Sequence, residues 1–256
     1  MLIATWNVNS LKVRLPQLLD WLRSNPVDVL ALQEIKCLDE GFPHAALQEL
    51  GYHSACSGQK TYNGVALLSR TPLTDVKAGM PGYSDEQKRV LAATVNGVRV
   101  ISVYVPNGQS VGSDKYQYKL LWLEALRAHL HAELAQYPKL VVLGDYNIAP
   151  TPADTHDPAV WEGNILCSEP ERAAFRALQE LGFTDCWTLF EHPPQTFTWW
   201  DYRQAAFRRN MGLRIDHILA SAALAPTCKA CDVDKTPRKN ERPSDHAPVI
   251  AEFTLS

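Results

Sequence analysis

The stretch VLAATVNGVRVISVYV, residues 90–105, decides the fold class of this 256-residue chain. Two apolar runs rich in valine lie on either side of Asn96-Gly97, and this dipeptide is typical of the tight turn that joins two antiparallel strands. Each run has the length and the β-branched side chains of a strand buried in a sheet. We therefore predict a hairpin here, and a sheet that is antiparallel at least in part.

Apolar runs of similar length recur along the rest of the chain. They are LIATW (2–6), VDVLALQ (27–33), GVALLSR (64–70), LVVLGDY (140–146), RIDHILA (214–220) and VIAEFTL (249–255). Together with the two runs of the hairpin, they predict an extensive β structure whose strands are largely buried.

Helical patterns lie between these strands. They cover residues 14–25, 116–137 and 168–182. The first repeats Leu and Trp at spacings of three and four, with Pro16 near its first turn. The last opens on Ser168 with Glu171 three positions later, which is the pattern of a capping box. The segments 149–160, 191–196 and 232–243 are predicted to be loops. The order of the elements predicts one α/β domain of the α+β type over residues 1–256, with sheets buried under helices.

Composition and charge exclude several classes of protein. The chain has 46% apolar and 21% charged residues, as globular proteins do. No apolar run approaches the roughly 18 residues that span a bilayer, and the N-terminus lacks the features of a secretion signal, so we expect a cytoplasmic protein without membrane contact. The net charge of −3 argues against a passive DNA binder. It is compatible with an enzyme that uses a few placed cations and a bound metal.

Acids, amides and one histidine recur at or near the ends of the predicted strands. They are Asn7, Asn9, Glu34, Asp145, Asn147, Asp216, Asp245 and His246. A buried carboxylate is costly unless it is paired or coordinates a metal, so we expect these side chains to converge on one pocket. A cluster of like charges needs a cation to hold it. Oxygen ligands without cysteine favour Mg²⁺ or Mn²⁺ over zinc.

Each of these residues also has an ordinary interpretation. Asn7 could cap a turn, Glu34 could lie on the surface, and the Gly-Asp of GDYN is a common turn. His217 lies beside Asp216 on a strand, where neighbours point to opposite faces, so packing or solvent contact is expected for it. By the same rule Asp245 and His246 point apart, which leaves Asp245 free to face a metal while His246 pairs with Asp216.

Eight segments of the chain resemble the signature blocks of a known family. They are WNVNSL, LQEIK, GQKTYNGVALLSR, YVPNG, LGDYNIAP, FTWWDYR, GLRIDHIL and SDHAPV, in this order over essentially the whole chain. They resemble the exonuclease III family, the bacterial AP endonucleases and 3′-exonucleases of the endonuclease/exonuclease/phosphatase superfamily. The resemblance implies a DNase I-like, four-layer αββα sandwich of two mostly antiparallel sheets, and phosphodiester hydrolysis that uses a divalent metal and water.

The resemblance also implies roles for individual residues. The implied metal site contains Glu34 as the principal ligand, with Asn7, Asp145, Asn147, Asp245 and His246 around the same ion. Asp145 would orient or deprotonate the attacking water, and Asn147 would hold a phosphate oxygen. His246, oriented by Asp216, would contact the scissile phosphate, and Tyr104 would place its hydroxyl near it. An imidazolium and a metal together offset the charge that develops on phosphate oxygens.

A second set of residues matches family positions near the DNA. The set is Lys60, Arg89, Trp199, Arg203 and Leu213. Solvated surface charge is the alternative for the cations, and core packing is the alternative for FTWW. In relatives, Trp199, Trp200 and Leu213 would wall a pocket for a base-free sugar, and Cys167 lies in a loop near it. A side chain there could block or admit an abasic sugar, which leaves open the balance between abasic-site incision and 3′-end processing.

The implied function is base excision repair on double-stranded DNA with abasic sites or with damaged or recessed 3′ ends, by a monomer. Two alternatives remain: another phosphoesterase of the superfamily, such as a nonspecific nuclease or a phosphatase, and a non-catalytic nucleic-acid-binding relative. GQK, YVPNG and WDYR favour the DNA-repair branch. A non-catalytic relative is expected to lack a metal ligand or the histidine, and here all matched positions are intact. Serine hydrolase chemistry is disfavoured, because G-x-S-x-G is missing.

Overall fold

A computed structural model describes residues 1–255 as a layered α/β structure. The helices are α1 (Leu11–Ser24), α2 (His44–Glu49), α3 (Asp114–Gln136), α4 (Pro158–Trp161) and α5 (Glu169–Gln179). The strands are β1 (Leu2–Asn7), β2 (Val29–Gln33), β3 (His53–Ser57), β4 (Val65–Ser69), β5 (Thr74–Ala78), β6 (Val90–Val95), β7 (Val98–Tyr104), β8 (Leu140–Asp145), β9 (Thr184–Asp185), β10 (Trp199–Trp200), β11 (Gly212–Leu213), β12 (Asp216–Ala220), β13 (Cys228–Val233) and β14 (Val249–Phe253).

Two six-stranded sheets contain most of these strands. The first has the order β13-β14-β1-β2-β4-β3, and the second has the order β5-β6-β7-β8-β12-β9. Each sheet is antiparallel except for one central parallel pair, β1 with β2 in the first and β7 with β8 in the second. The predicted hairpin is present as β6 and β7, and Asn96 and Gly97 both have positive φ. A parallel pair needs a long crossover, which helix α1 and helix α3 provide.

Alternation of side chains along the strands produces four layers. On β1, Ile3 packs between the two sheets, whereas Ala4 packs against helix α1 on the outer face. On β8, Val141 and Leu143 face the first sheet, and Val142 faces helices α3 and α5. The layers are therefore helix, sheet, sheet and helix. The predicted αββα sandwich of two mostly antiparallel sheets is confirmed.

A glycine lets the parallel pair β7–β8 approach closely near its end. Gly144 is paired with Val103 and has a φ of 153°. A Cβ atom at this position would lie 1.9 Å from the carbonyl oxygen of Val103. The residue that follows, Asp145, is the partner of Tyr104 on one side and of Asp216 on the other. The sheet register thus aligns three polar side chains at one edge.

Several element boundaries differ from those predicted. Helix α1 begins at Leu11, three residues before the predicted start, because Leu11 is buried and the Ser10 side chain caps the helix. Pro16 therefore lies inside the helix rather than near its first turn. The predicted loops contain the short helix α4 and the end of β13, and the prediction missed helix α2. It also missed β3 and β5, which are edge strands with exposed residues and no long apolar run.

Candidate active site

The edge where the two sheets end brings together polar residues from distant parts of the chain. Tyr104, Asp145 and Asp216 end or begin adjacent strands of the second sheet. Asn7 ends β1 in the first sheet and lies beside Gln33, the residue before Glu34. The convergence that the strand-end pattern predicted is therefore present in the structure.

Two buried or half-buried carboxylates and an imidazole form the centre of the site. Ligand atoms of Glu34, Asp145 and His246 all lie within 4.8 Å of one another. The Asn7 side-chain amide donates to Glu34 Oε1 at 2.8 Å and to Asp145 Oδ2 at 2.9 Å. Carboxylate oxygens at this spacing match the ligand preference of Mg²⁺ and Mn²⁺. The site can hold a divalent cation.

Asn7 is oriented differently from the metal ligand that was expected. Its Oδ1 accepts a hydrogen bond from the backbone N–H of Asn9 at 3.0 Å, which fixes the direction of the amide. The NH₂ group therefore faces the carboxylates of Glu34 and Asp145 and reduces their mutual repulsion. In this structure Asn7 is a donor between two acids, and its oxygen is directed toward the backbone of the next loop.

Several residues of the site have a left-handed backbone, which is uncommon outside glycine and asparagine. Glu34 has a φ of 50° and Asn147 a φ of 48°. Left-handed backbone costs about 1–3 kcal/mol for a side-chain-bearing residue and persists only where the surroundings enforce it. At Glu34 the carbonyl oxygen accepts the N–H of Ser10 at 2.8 Å. These sharp turns direct Glu34 and Asn147 away from the paths of β2 and β8.

His246 is held by Asp216 and faces Asp145. Its Nδ1 donates to Asp216 Oδ2 at 2.9 Å, and its Nε2 lies 3.5 Å from Asp145 Oδ2. Burial alone lowers the pKa of His246, but the carboxylates of Asp216, Asp145 and Asp245 outweigh it and raise the pKa to about 10. The ring therefore carries both protons at neutral pH. With this charge His246 donates from both nitrogens, and Nε2 is directed toward the Asp145 carboxylate. The phosphate contact and the metal-ligand role of His246 both stay predictions.

Asp145 and Tyr104 have perturbed proton affinities. Burial raises the pKa of Asp145 to about 7; Asp216 and Glu34 act in the same direction, and His246 opposes them. The backbone N–H of Asn147 donates to Asp145 Oδ1 at 2.9 Å, which fixes the carboxylate. Burial, together with Glu34 and Asp145, raises the pKa of Tyr104 well above its ordinary value, so its hydroxyl stays protonated. Perturbed groups of this kind gather where catalysis occurs.

Asp245 lies at the rim of the same site. Its Oδ1 is 4.0 Å from His246 Nε2 and accepts from the Asn9 side chain at 3.1 Å, while its Oδ2 accepts from the indole N–H of Trp199 at 3.0 Å. Ser244 fixes this segment, since its hydroxyl donates to the Asn7 carbonyl at 2.6 Å and accepts from the His246 N–H. Asp245 and His246 take different partners, as expected from their adjacency.

The predicted DNA-binding cations differ in availability. Lys60 is exposed. Arg203 is exposed too, but two of its nitrogens donate to the Asp201 carboxylate. Arg89 is buried: it donates to Gln87 Oε1 and to the Tyr104 carbonyl, and its guanidinium lies 4.7 Å from the centre of the Tyr104 ring. In this structure Arg89 therefore contacts and supports Tyr104.

The apolar residues near the site are more buried than predicted. Leu213 and Cys167 are both fully buried in one cluster with Ala149, Leu166 and Ile215. Both side chains are covered in this structure, and their roles at the DNA and as a gate stay predictions. Of the adjacent tryptophans, Trp200 is fully buried and Trp199 is partly exposed, because neighbours on a strand face opposite ways.

Two lysines of the site were missed from the sequence. Lys36 lies 3.3 Å from Glu34 Oε2 and donates to Asn9 Oδ1 at 2.7 Å. Lys119 is fully buried beneath the loops that follow β7 and β8. The sequence does contain a signal for Lys119. It lies on the same face of helix α3 as the buried residues Tyr116, Trp122 and Leu126, where a charged side chain is unusual.

Three features of this site define a class of enzyme. They are a buried acid that can accept a proton, an imidazolium positioned by a second acid, and a carboxylate site for a divalent cation. They are the parts needed to direct water at a phosphate ester and to stabilise the charge that develops on it. The chain is a phosphodiester hydrolase. Within residues 1–255, no helix is both long and apolar enough to cross a membrane.

The family model described as Endonuclease/Exonuclease/phosphatase family matches residues 4–246, and the chain belongs to this family. The chain is 35% identical to exodeoxyribonuclease III of Haemophilus influenzae, over 99% of this chain and 100% of that protein. A 3′ phosphatase from Neisseria, solved with a product DNA hairpin, is 52% identical with a TM-score of 0.98, and an AP endonuclease from Archaeoglobus fulgidus is 40% identical with a TM-score of 0.95. Each structure is matched over 100% of both chains. The function is therefore that of a DNA-repair nuclease of the exonuclease and AP endonuclease type.

Proposed function

We propose that this chain acts mainly on the 3′ ends of damaged double-stranded DNA, where it removes terminal nucleotides or blocking phosphates, and that abasic-site incision is its second activity. The observation that carries metal-dependent hydrolysis is the site in which Glu34, Asp145 and His246 meet within 4.8 Å. The preference for 3′ ends rests on the burial of Leu213 and Cys167. Mg²⁺ or Mn²⁺ is the proposed cofactor, because the available ligands are carboxylate oxygens. Glu34 and Asp145 would hold it.

The cation, when bound, polarises the phosphate and lowers the pKa of water. Asp145 is the proposed base, because its buried carboxylate lies at the centre of the site and is fixed by Asn147 and Asn7. The His246 imidazolium would donate from Nε2 to a non-bridging phosphate oxygen, with Asp216 holding the opposite nitrogen. Tyr104 would donate its hydroxyl to an oxygen of the phosphate or of the leaving group.

Asn147 receives a revised role in this proposal. Its side-chain NH₂ donates to the Val105 carbonyl at 2.9 Å, and its Oδ1 accepts from Asn107 at 3.3 Å. Both ends of the amide are therefore already bonded within the protein. We assign Asn147 to the orientation of Asp145 through its backbone N–H, rather than to a phosphate oxygen.

The burial of Leu213 and Cys167 supports the preference for 3′ ends. A base-free sugar inside a duplex must be turned out of the helix and received in a pocket. Leu213 and Cys167 are packed together in one buried cluster, and Trp200 is fully buried in another. Among the residues expected at that pocket, only Trp199 keeps exposed surface. A terminal nucleotide has no such requirement. The similarity to the 3′ phosphatase agrees with this preference, and the similarity to the AP endonuclease supports the second activity.

Lys60 and Arg203 are the proposed contacts to the DNA backbone, since both are exposed cations on a chain whose net charge is −3. Few phosphate contacts predict a modest dependence of DNA affinity on salt. We also propose that the chain acts as a monomer.

Three labelled duplexes of one sequence test the proposed function. One carries a 3′ phosphate, one a recessed 3′ hydroxyl and one an internal abasic site, and each is incubated with Mg²⁺, with Mn²⁺ or with EDTA. We expect metal-dependent processing of both 3′-ended duplexes at a kcat/KM about tenfold or more above that of abasic incision. Faster abasic incision would reverse the proposed ranking, and cleavage in EDTA would contradict the metal site.

A variant identifies the base in the same assay. Asp145→Asn should lower kcat by about 10³-fold while it changes DNA affinity only slightly, because the amide cannot take a proton. Glu133→Gln is the matched control, since Glu133 is also a buried acid but pairs with Arg99 away from the site. Equal losses of turnover and affinity in Asp145→Asn would make Asp145 a binding residue instead.

A further inference from the structure

Lys119 is the only lysine among residues 1–255 that is buried, and its ammonium group lies directly beneath the site. An ammonium has three N–H donors and accepts nothing. In the structure Nζ donates to the carbonyl of Asn107 at 3.1 Å, to the carbonyl of Asn147 at 2.6 Å and to Glu171 Oε1 at 2.5 Å. Every donor therefore has a partner, and all three partners belong to different segments.

These segments carry or adjoin the residues that act on the phosphate. Asn107 follows β7, which ends at Tyr104, and Asn147 follows β8, which ends at Asp145. Asn107 and Asn147 are also joined directly through their side chains. Lys119 thus ties the loop after Tyr104 to the loop after Asp145, from below.

The third partner connects this pair of loops to helix α5. Glu171 Oε2 accepts from the N–H and the hydroxyl of Ser168, so it completes the capping box at the start of α5. Its Oε1 accepts from the N–H of Leu166 as well as from Lys119. Leu166 in turn accepts the N–H of Ala149 from the Asp145 loop. One lysine and one glutamate thereby fix three loops relative to each other.

The path of the Lys119 side chain is also specific. Gly108 has a φ of 89°, and a Cβ atom there would lie 3.0 Å from Lys119 Cδ. The loop after β7 therefore passes close over the lysine because residue 108 has no side chain.

A buried ion pair of this kind is poor evidence for stability, because desolvation of the two charges offsets most of their attraction. An apolar pair in the same volume would serve a core equally well. What an apolar pair cannot do is donate to two backbone carbonyls at once. Lys119 does so at the turn that follows Asp145, where it donates to the carbonyl of Asn147, whose φ is 48°.

We propose that Lys119 is a positioning residue for catalysis: it holds the loops after β7 and β8 in register, and through them it holds Asp145 and Tyr104. This inference rests on the proposed function. Lys119 itself makes no contact with substrate.

Helix α3 carries a matched control at its other end. Arg99 is fully buried and pairs with Glu133 at 2.8 Å, and it also donates to the Asp75 carbonyl. None of these groups belongs to the site. We therefore compare the double variant Lys119→Met/Glu171→Gln with the double variant Arg99→Met/Glu133→Gln. Both changes in each pair are needed, because removal of the cation alone would leave an unpaired carboxylate in the core.

The measurements are kcat and KM on a 3′-ended duplex with Mg²⁺, the free energy of unfolding, and hydrogen exchange of backbone amides. We expect the Lys119 double variant to lose about 100-fold in kcat with KM within a few-fold of wild type, since small misplacements of catalytic groups have effects of this size. The Val105 and Ala149 amides should exchange faster, while amides within β7 and β8 do not. The Arg99 double variant should keep kcat within about twofold at a similar loss of stability.

Equal kcat values in the two double variants would overturn the proposal, and so would unchanged exchange at Val105 and Ala149. If a double variant does not fold, Lys119→Gln/Glu171→Gln is compared with Arg99→Gln/Glu133→Gln, because neither pair leaves a buried charge and each keeps hydrogen-bonding side chains. The Lys119 pair should still lose kcat, because the shorter glutamine has two donors in place of three, and the Arg99 pair should keep it. If the wild-type chain cleaves no duplex, the proposed function fails instead. The exchange comparison still decides whether Lys119 fixes the loops.

Discussion

Two buried histidines show how single contacts set the charge of a side chain. His246 faces three carboxylates, which raise its pKa to about 10. His217, on the strand that also carries Asp216, is bonded differently. Its Nδ1 lies 3.0 Å from a nitrogen of Arg214, which can only donate, and its Nε2 lies 2.8 Å from the Ile148 carbonyl, which can only accept. His217 is therefore neutral, with its proton on Nε2.

The pH dependence of His217 follows from these contacts. Burial, and then Arg214, lower its pKa below the ordinary value. Below about pH 6.5 the unfolded chain binds a proton at this residue and the folded chain does not, so its contribution to stability falls as the pH falls. Nitrogen NMR of the rings should show His217 as the Nε2–H tautomer from about pH 8 down to about pH 6.5, with half-protonation only below that pH. His246 is the internal control and should remain an imidazolium over that range; titration of His217 near pH 6.5 would contradict the assignment.

At the scale of secondary structure elements, the close pairing of β7 and β8 positions the catalytic base. Asp145 follows Gly144 directly, and Gly144 approaches Val103 too closely for any side chain. The approach places the ends of both strands, and hence Tyr104 and Asp145, next to each other. Helix α3 makes the crossover between these two strands, so the same helix that closes the sheet also presents Lys119 to its end.

Gly144→Ala tests this pairing. The methyl group would lie 1.9 Å from the Val103 carbonyl, so the strands must separate, at an expected cost of about 3 kcal/mol, and kcat should fall as Asp145 moves. Gly97→Ala in the hairpin is the matched control. It has a φ of 79° and nothing within 4 Å of the added methyl, so only the backbone strain of about 1–2 kcal/mol is expected, with kcat unchanged. Chemical denaturation and steady-state kinetics measure both; similar stability of the two variants would argue against a close approach at Gly144.

At the scale of the whole molecule, the site is an opening at one edge of a closed four-layer sandwich. The two sheets pack through one apolar cluster, and each outer face is covered by helices. Glu34 comes from the first sheet, whereas Asp145 and Asp216 come from the second. A cation held between Glu34 and Asp145 would therefore join the two sheets, and it should stabilise the folded chain as a ligand of the native state.

Thermal unfolding with and without Mn²⁺ tests this link between the sheets. At about 100 times its dissociation constant, the ion should add about 2.7 kcal/mol, which raises the Tm by several degrees. Glu34→Gln should abolish the shift. Glu133→Gln removes a buried acid elsewhere, so it should lower the Tm but keep the shift. A full shift in Glu34→Gln would show that the ion binds at another place.

Local sequence patterns determined much of this protein. Valine-rich runs and Asn96-Gly97 predicted the hairpin, Ser168 and Glu171 predicted the start of helix α5, and acids at strand ends predicted one pocket. These features depend on residues close together in the chain, or on side-chain types that are costly to bury alone. The edge strands β3 and β5 escaped prediction because exposed strands have weak local patterns. The blocks WNVNSL to SDHAPV added the family, and with it the order of layers.

Only the tertiary structure decided the partners of each polar group. The orientation of the Asn7 amide toward Glu34 depends on atoms that come from different strands. The same is true of the charge of His246 and the neutrality of His217. The burial of Cys167 and Leu213, and the three bonds of Lys119, depend on how loops pack over helix α3. The sequence determines which groups need a partner, because an unpaired buried charge is unstable. Packing determines which partner is within reach, because hydrogen bonds act only over about 3 Å.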